Sequence, residues 1–358
     1  MTATARMKNE RAANFELLRI LAMLGVVVNH FYNNALCIYD SSDNGLHIPC
    51  GPTADVAVWT VLELMKLTAL VSVNCYVLMT GYFLATKTDL RTRGIWNTWS
   101  RTWFYSVALW IIMMGCGHVG FSRSDMLHYL TPISTNNYWF ITNYLGLMLV
   151  APFISTMTAS LDRRRFGILV VAGGVLCLQY PLGHIFISPQ QFLLFIYLYI
   201  IGAYIRLHVS EVPRGRTVAA FWLTLMVMSG VAVVKNIVRG DGRLDIISME
   251  YNGLVLPLSV CVFMIFRQMK ISSRLSRPII WLAPFSLAVY LIHEHPLVDE
   301  MLWRAVRTYI STHELWILPL DVIALSAAIY AVCVAIDIAR HYGVTVLKAA
   351  YRHVWPRT

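Results

Sequence analysis

Long apolar runs, separated by short polar segments rich in Lys and Arg, organise this chain from end to end. Ten of the runs approach the roughly 20 residues that cross a bilayer core as a helix. They lie at approximately 15–34, 57–84, 97–117, 138–159, 166–182, 190–208, 217–236, 247–267, 279–298 and 316–339. None alternates with period two, so the pattern predicts helices and not a β-barrel. The run 57–84 is long enough to be tilted or broken, and glycine and polar residues interrupt 166–182 and 247–267. The expected fold class is all-α, a polytopic transmembrane helical bundle of about ten spans. Residues 1–358 read as a single domain, with a core at 14–340 and a basic tail at 341–358.

Composition agrees with that pattern. The chain is 58% hydrophobic and only 13% charged, with a mean hydropathy of +0.59; soluble domains carry about 25% charged residues. The net charge of +10 does not point to nucleic acid, because the basic residues fall between apolar runs and form no single patch. They read instead as topology. Ten spans put both termini on one side, and 22 Lys and Arg fall on that side against six on the other. The positive-inside rule then places both termini in the cytoplasm. The polar N-terminus and the absence of a small-residue pattern after the first run argue against a cleavable signal peptide. No internal repeat of the kind that builds many transporters is visible. The seven cysteines have no Cys-x-x-Cys spacing, so no metal is expected from them. Cys37 and Cys50 share a loop placed outside, where a disulfide is one option.

Two ionisable residues in the first run change the picture. Arg19 and His30 are eleven steps apart, which brings a helix back to within about 20° of the same face and advances it about 16 Å. Arg19 then lies near the inner membrane surface and His30 about halfway through. The bland reading is a snorkelling arginine and a histidine bonded to a neighbouring helix. The functional reading is an anionic cytoplasmic ligand held by Arg19, with His30 moving a proton deeper in. Weaker candidates follow. Glu63 and Lys66 form an i, i+3 pair inside the second run, either structural or supporting His30. Tyr290 and His293 share that spacing late in the ninth. Trp139, Phe140 and Tyr144 lie just inside the outer face, as stacking surfaces for a ring or as packing. Glu250, entering the eighth run from outside, is given no role.

Several stretches resemble one family in its order. Arg19-x10-His30 is the first. Val73-Asn74-Cys75-Tyr76-Val77-Leu78-Met79-Thr80-Gly81-Tyr82-Phe83-Leu84 is similar to a "F-x-x-x-S-G-Y-F-L" ending of the second span, with Thr80 for Ser and Tyr76 for Phe. Tyr138-Trp139-Phe140 to Tyr144 resembles a "Y-W-F-x-x-x-Y" opening. Phe285 to His293 resembles a late "F-x-x-Y-L-I-H" element with one extra residue. Together they identify the chain as resembling acyltransferase family 3, the integral membrane acyltransferases.

The resemblance implies acetyl-CoA as donor, without a metal. It also implies transfer to a hydroxyl of a cell-surface glycan or its lipid-linked precursor, in a bacterial cell membrane. Arg19 then engages CoA phosphates and His30 is catalytic. An Arg-x-x-Arg expected at the start of the third span is present only as Thr98-x-x-Arg101. Arg101 joins Arg19 as a cofactor-binding candidate, with Arg91 and Arg93 nearby but out of register. Tyr290, His293, Trp139 and Tyr144 are the acceptor-binding candidates. The competing readings are a transporter or flippase for an anionic or lipid-linked solute, using the same Arg and His, and a sensor or scaffold.

Overall fold

Hydrophobic runs become helices almost throughout the computed structural model, which describes residues 3–36, 56–177, 179–180, 183–184, 191–239 and 252–354. In chain order the helices are α1 (Ala3–Phe31), α2 (Val56–Ala69), α3 (Val71–Leu84), α4 (Thr92–Gly115), α5 (Arg123–Leu130), α6 (Trp139–Ala159) and α7 (Arg163–Cys177). They continue as α8 (Gln191–His208), α9 (Arg214–Arg239), α10 (Val255–Arg267), α11 (Ser273–Leu282), α12 (Ser286–His293), α13 (Pro296–Ile310) and α14 (Leu318–Val354). A two-residue antiparallel pair joins Gln179–Tyr180 to Gly183–His184. The fold is an all-helical polytopic bundle. Cys37, Cys50 and Glu250 lie outside the described residues.

Seven helical stretches among the described residues are long and apolar enough to cross a membrane: 13–36, 57–84, 139–159, 191–208, 214–234, 273–293 and 315–346. The expected spans at 97–117, 166–182 and 247–267 correspond to α4, α7 and the shorter apolar α10. Large apolar side chains point outwards from these helices, among them Phe153 at 75% exposure, Val171 at 69% and Met226 at 66%. In water such a surface is unfavourable; against lipid tails it is not. The long second run is indeed broken, at Leu70, between α2 and α3. The ninth is broken by Pro284, whose missing N–H ends α11 in a 3₁₀ turn (Ala283–Phe285) before α12 begins.

Inside the bundle, α3 packs along α8, with α1 and α10 on its other sides. Two glycines make that approach possible. A Cβ on Gly81 would collide with the backbone of Tyr199, and one on Gly202 with the Leu78 carbonyl. Without a hydrophobic force between helices in lipid, such close contact is a main source of helix association. A second core joins α1, α4, α6, α12 and α14 around Val27, Tyr138, Val289 and Cys333. A third, around Phe31, Trp59, Trp303 and Ile310, closes the end of the bundle beneath α13. Pinning α3 against α8 fixes Tyr76 and Thr80, which α3 presents to α1 and α6.

Gly81→Ala and Gly202→Ala are therefore expected to lower thermal stability in detergent, each by about 1–3 kcal/mol of overpacking. Gly230→Ala, whose Cβ meets nothing within 4 Å, is the control and leaves stability unchanged or raised. Thermal denaturation followed by size-exclusion chromatography reads the difference.

Candidate active site

The chain breaks abruptly after α12, and the break builds the site. His293 ends that helix, Glu294 is its C-cap, and His295 is the N-cap of α13. His295 Nδ1 accepts the Leu297 N–H at 3.2 Å, Pro296 occupies the first helical position, and Asp299 sits in the first turn. Each suits a helix N-terminus, where amides lack partners and the dipole is positive. With its Nδ1 accepting, His295 carries its proton on Nε2 and donates it to the Ser106 carbonyl of α4 at 3.1 Å. Tyr129 stacks on the same ring, centroids 5.2 Å apart. His295 is thus a structural pin that holds the turn in place.

The turn delivers His293 and Glu294 to His30. His293 Nδ1 lies 2.5 Å from the Val289 carbonyl, so that nitrogen carries a proton and donates it. His293 Nε2 is then an acceptor, 2.9 Å from His30 Nδ1. Glu294 Oε1 is 2.6 Å from the same nitrogen. One proton on His30 Nδ1 serves both acceptors, and Nε2 becomes the basic nitrogen of a neutral His30. The rings of His30 and His293 sit 5.1 Å apart. His293 is fully buried, while the His30 and Glu294 side chains are 13% and 19% exposed. In such surroundings a carboxylate on the proton-bearing nitrogen orients the imidazole and stabilises the imidazolium when it forms.

The three ligand-type atoms of His30, His293 and Glu294 lie within 4.8 Å of one another, a grouping that invites a metal reading. Their spacing fits hydrogen bonds better. Ligand atoms around one tetrahedral zinc are about 3.3 Å apart, whereas two of these contacts are 2.6 and 2.9 Å.

At the other end of α1 lies a cavity of about 660 Å³ lined by Arg19, Arg91, Arg93, Tyr76, Thr80 and Tyr144, among others. Arg19 Nη1 meets Glu16 at 2.5 Å and remains 39% exposed. Arg91 and Arg93 form no ion pair among the described residues and are exposed. An aromatic file connects the cavity wall to the histidines. The Tyr76 hydroxyl donates to the Arg19 carbonyl at 2.7 Å. Phe140 lies 5.9 Å from Tyr76, from Tyr144 and from Tyr290. Tyr290 in turn is 6.3 Å from His293, and its hydroxyl accepts the Phe140 N–H at 3.4 Å.

The expected residues thus separate. Arg19 and Tyr144 share the cavity, and Tyr144 is there on the arginine side. His293 joins His30 instead of standing apart, with Tyr290 beside it. Trp139 packs edge-on to Phe140 and Phe195. Glu63 and Lys66 are both buried in α2, one turn apart. His30 lies seventeen residues from Ala13 and only six from Leu36, so it sits beyond the middle of its span, towards α13. Arg101 departs most from expectation. It does not line the cavity; it pairs with the buried Asp337 of α14 and donates to the Pro284 carbonyl at 3.1 Å. Tyr105 and Arg340 also bond Asp337, at 2.7 and 2.6 Å. A carboxylate with no exposed surface needs these partners, which explains where the guanidinium goes.

Sequence reasoning missed Glu294, although it stands in the run His293-Glu294-His295. A carboxylate at the end of an apolar span, flanked by two histidines, was the available signal. It also missed Asp299. That carboxylate lies just beyond the turn, its Oδ1 bonded by Trp303 Nε1 at 2.6 Å and by Asn34 Nδ2 at 3.2 Å. Burial, with the Glu294 charge adding to it, pushes the Asp299 carboxyl up to about 6. The folded protein therefore holds this proton more tightly than the unfolded chain, whose aspartates titrate near 3.9. The stability contributed is full below about pH 4 and is lost as pH rises through about 6. Apparent thermal stability in detergent is expected to fall across that window in wild type and less steeply in Asp299→Asn. Equal slopes in the two proteins would refute the assignment.

A family model described as an acyltransferase domain, Acyl_transf_3, matches residues 13–338. No curated protein and no solved structure matches.

Proposed function

Since the chain belongs to acyltransferase family 3, and so is a membrane acyltransferase, we propose that it moves an acetyl or short acyl group from acetyl-CoA to a hydroxyl of a cell-surface glycan or its lipid-linked precursor. The observation that carries this reading is the His30–Glu294 contact at 2.6 Å, with His293 on the same nitrogen. A neutral imidazole backed by a carboxylate is a general base. The proposed location is a bacterial cell membrane with both termini cytoplasmic, supported by the basic residues on that side.

On this reading the donor enters from the cytoplasmic end. CoA is polyanionic, and Arg19, Arg91 and Arg93 surround a cavity of suitable size. Arg19 lies about 16 Å from His30 along α1, within reach of an extended pantetheine arm whose phosphates stay at the arginines. His30 Nε2 removes the proton from the acceptor hydroxyl as its oxygen attacks the thioester carbonyl. The C–S bond breaks, and the proton passes to the CoA thiolate. In a variant of the scheme His30 Nε2 carries the acetyl group between donor and acceptor. Either way Glu294 stabilises the positive charge on the ring, and the apolar surroundings keep water from the thioester.

Membranes given radiolabelled acetyl-CoA are expected to label a glycan fraction. His30→Ala abolishes that labelling. Glu294→Gln, which keeps shape and loses charge, lowers it about 10²–10⁴-fold with little change in the KM for acetyl-CoA. Arg91→Ala and Arg93→Ala instead raise that KM. Full labelling by His30→Ala would sink both routes. Movement of an unmodified solute without CoA would favour the transporter.

A further inference from the structure

One polar cluster lies just beyond the histidines and takes no part in the chemistry above. α1 opens into a π-helical turn, Tyr32–Leu36, directly after His30. Such turns are rare and concentrate at functional sites. Asn34 lies one helical turn past His30, and Asp299 lies one turn into α13, just past Glu294. The two meet through the 3.2 Å bond from Asn34 Nδ2 to Asp299 Oδ1. Trp303, almost fully buried against Phe31, holds that same carboxylate oxygen.

Two acceptor oxygens are left over. Asp299 Oδ2 and Asn34 Oδ1 have no hydrogen-bond partner among the described residues, and neither is buried away from solvent. They belong to two side chains that are bonded to each other, one helical turn past His30 on α1 and just past Glu294 on α13. Fastening α13 to α1 does not require them. Arg307 Nη1 already bonds the Asn34 backbone carbonyl at 2.6 Å, and Trp303 already packs on Phe31 with ring centroids 5.9 Å apart. The charged and titratable groups acting on Asp299 are Glu294 after α12, His30 of α1 and Arg307 of α13.

Acceptors on two side chains fixed to each other suit a ligand that offers neighbouring donors. We infer that Asp299 and Asn34 form the acceptor subsite, where two neighbouring hydroxyls of a sugar donate to Asp299 Oδ2 and Asn34 Oδ1 and a third is left facing His30. The inference rests on the acyltransferase reading and supplies the class of acceptor it uses: a polyhydroxylated ring entering from the α13 end, opposite the arginine-lined cavity. Trp303 positions the carboxylate and, being buried, makes no stacking platform.

The test uses the full-length protein in membranes of the producing organism, with radiolabelled acetyl-CoA as the probe and glycan label as the readout. Asp299→Asn keeps an oxygen for Trp303 and Asn34 but weakens the grip on hydroxyls. Asn34→Ala removes one side chain and leaves the Arg307 bond to the backbone. Both are expected to lower the maximal rate of glycan labelling roughly tenfold or more. The KM for acetyl-CoA stays within about twofold of wild type, because the donor end is untouched. Thermal stability of purified Asp299→Asn at pH 7 equals or exceeds wild type, so that a lower labelling rate in this variant is not a folding defect. Wild-type labelling rates in both variants would overturn the subsite, as would losses that merely track the amount of folded protein. A wild type that transfers no acetyl group at all would overturn the reading of acetyl transfer to a glycan, and the subsite with it.

Discussion

A histidine inside an apolar bundle must have each ring nitrogen accounted for, and much of this structure follows from how His30 meets that demand. Its Nδ1 faces two acceptors, His293 Nε2 and Glu294 Oε1. Those acceptors exist only because α12 stops where it does. The stop in turn depends on His295, which caps α13 through one nitrogen and anchors α4 through the other. Three consecutive residues thus perform three different tasks, and a shift of one position would turn an acceptor into a cap. The cost of a buried polar group without a partner, about 1–3 kcal/mol or more when charged, is what makes the arrangement cooperative.

The two ends of α1 divide the electrostatics. At one end the arginines fall into two groups. Arg101 and Arg340 are taken up by Asp337, together with the Tyr105 hydroxyl, and tie α4 to α14. Arg91 and Arg93 line an open cavity with Arg19 and have no ion pair among the described residues. At Arg91 and Arg93 an anion need displace no paired carboxylate, whereas at Arg19 it competes with Glu16, and Asp89 lines the same cavity. At the far end stand the carboxylates Glu294 and Asp299, with His30 and Arg307 acting on Asp299. The aromatic file of Tyr76, Phe140 and Tyr290 between the two ends contributes no charge of its own. It holds its hydroxyls on backbone groups, Tyr76 on Arg19 and Tyr290 on Phe140.

How much of this was legible in the sequence depended on whether a feature is local. Helices and their apolar faces follow from runs of residues, so the all-α bundle could be read directly. The alignment of Arg19 with His30 follows from one helix's periodicity and needed no tertiary information. The break in the second run at Leu70 and the interruption at Pro284 were also within reach, because length and proline act locally. What was not legible is pairing between distant segments. Nothing in the neighbourhood of Arg101 announces that Asp337, 236 residues later, will claim its guanidinium. Likewise, His293 was expected near an acceptor because only its own helix was in view; its meeting with His30 depends on how α1 and α12 cross. Tyr144 fell to the arginine side for the same reason.

The position of His30 along its helix bears on the choice between chemistry and transport. A solute pathway through a bundle calls for polar groups distributed along its length, so that charge is solvated at each stage. Along the apolar run of α1 the ionisable groups are gathered at two places, Arg19 with Glu16 and His30 with its partners. Between them, α1 presents Met23, Val26 and Val27 to the core, and the opposing wall is aromatic. A thioester-bearing arm is mostly apolar and thin, with its charge concentrated at one end; such a molecule suits a passage whose anion-binding groups are all at the entrance. An ionic solute moving along α1 would have to leave the arginines and pass Met23, Val26 and Val27, which offer it no polar partner. The cost of that crossing is the desolvation of a charge in a low dielectric. An acyl group crosses as a neutral fragment while its charged carrier stays behind. The spacing of polar groups along α1 therefore favours group transfer over passage of a whole anion.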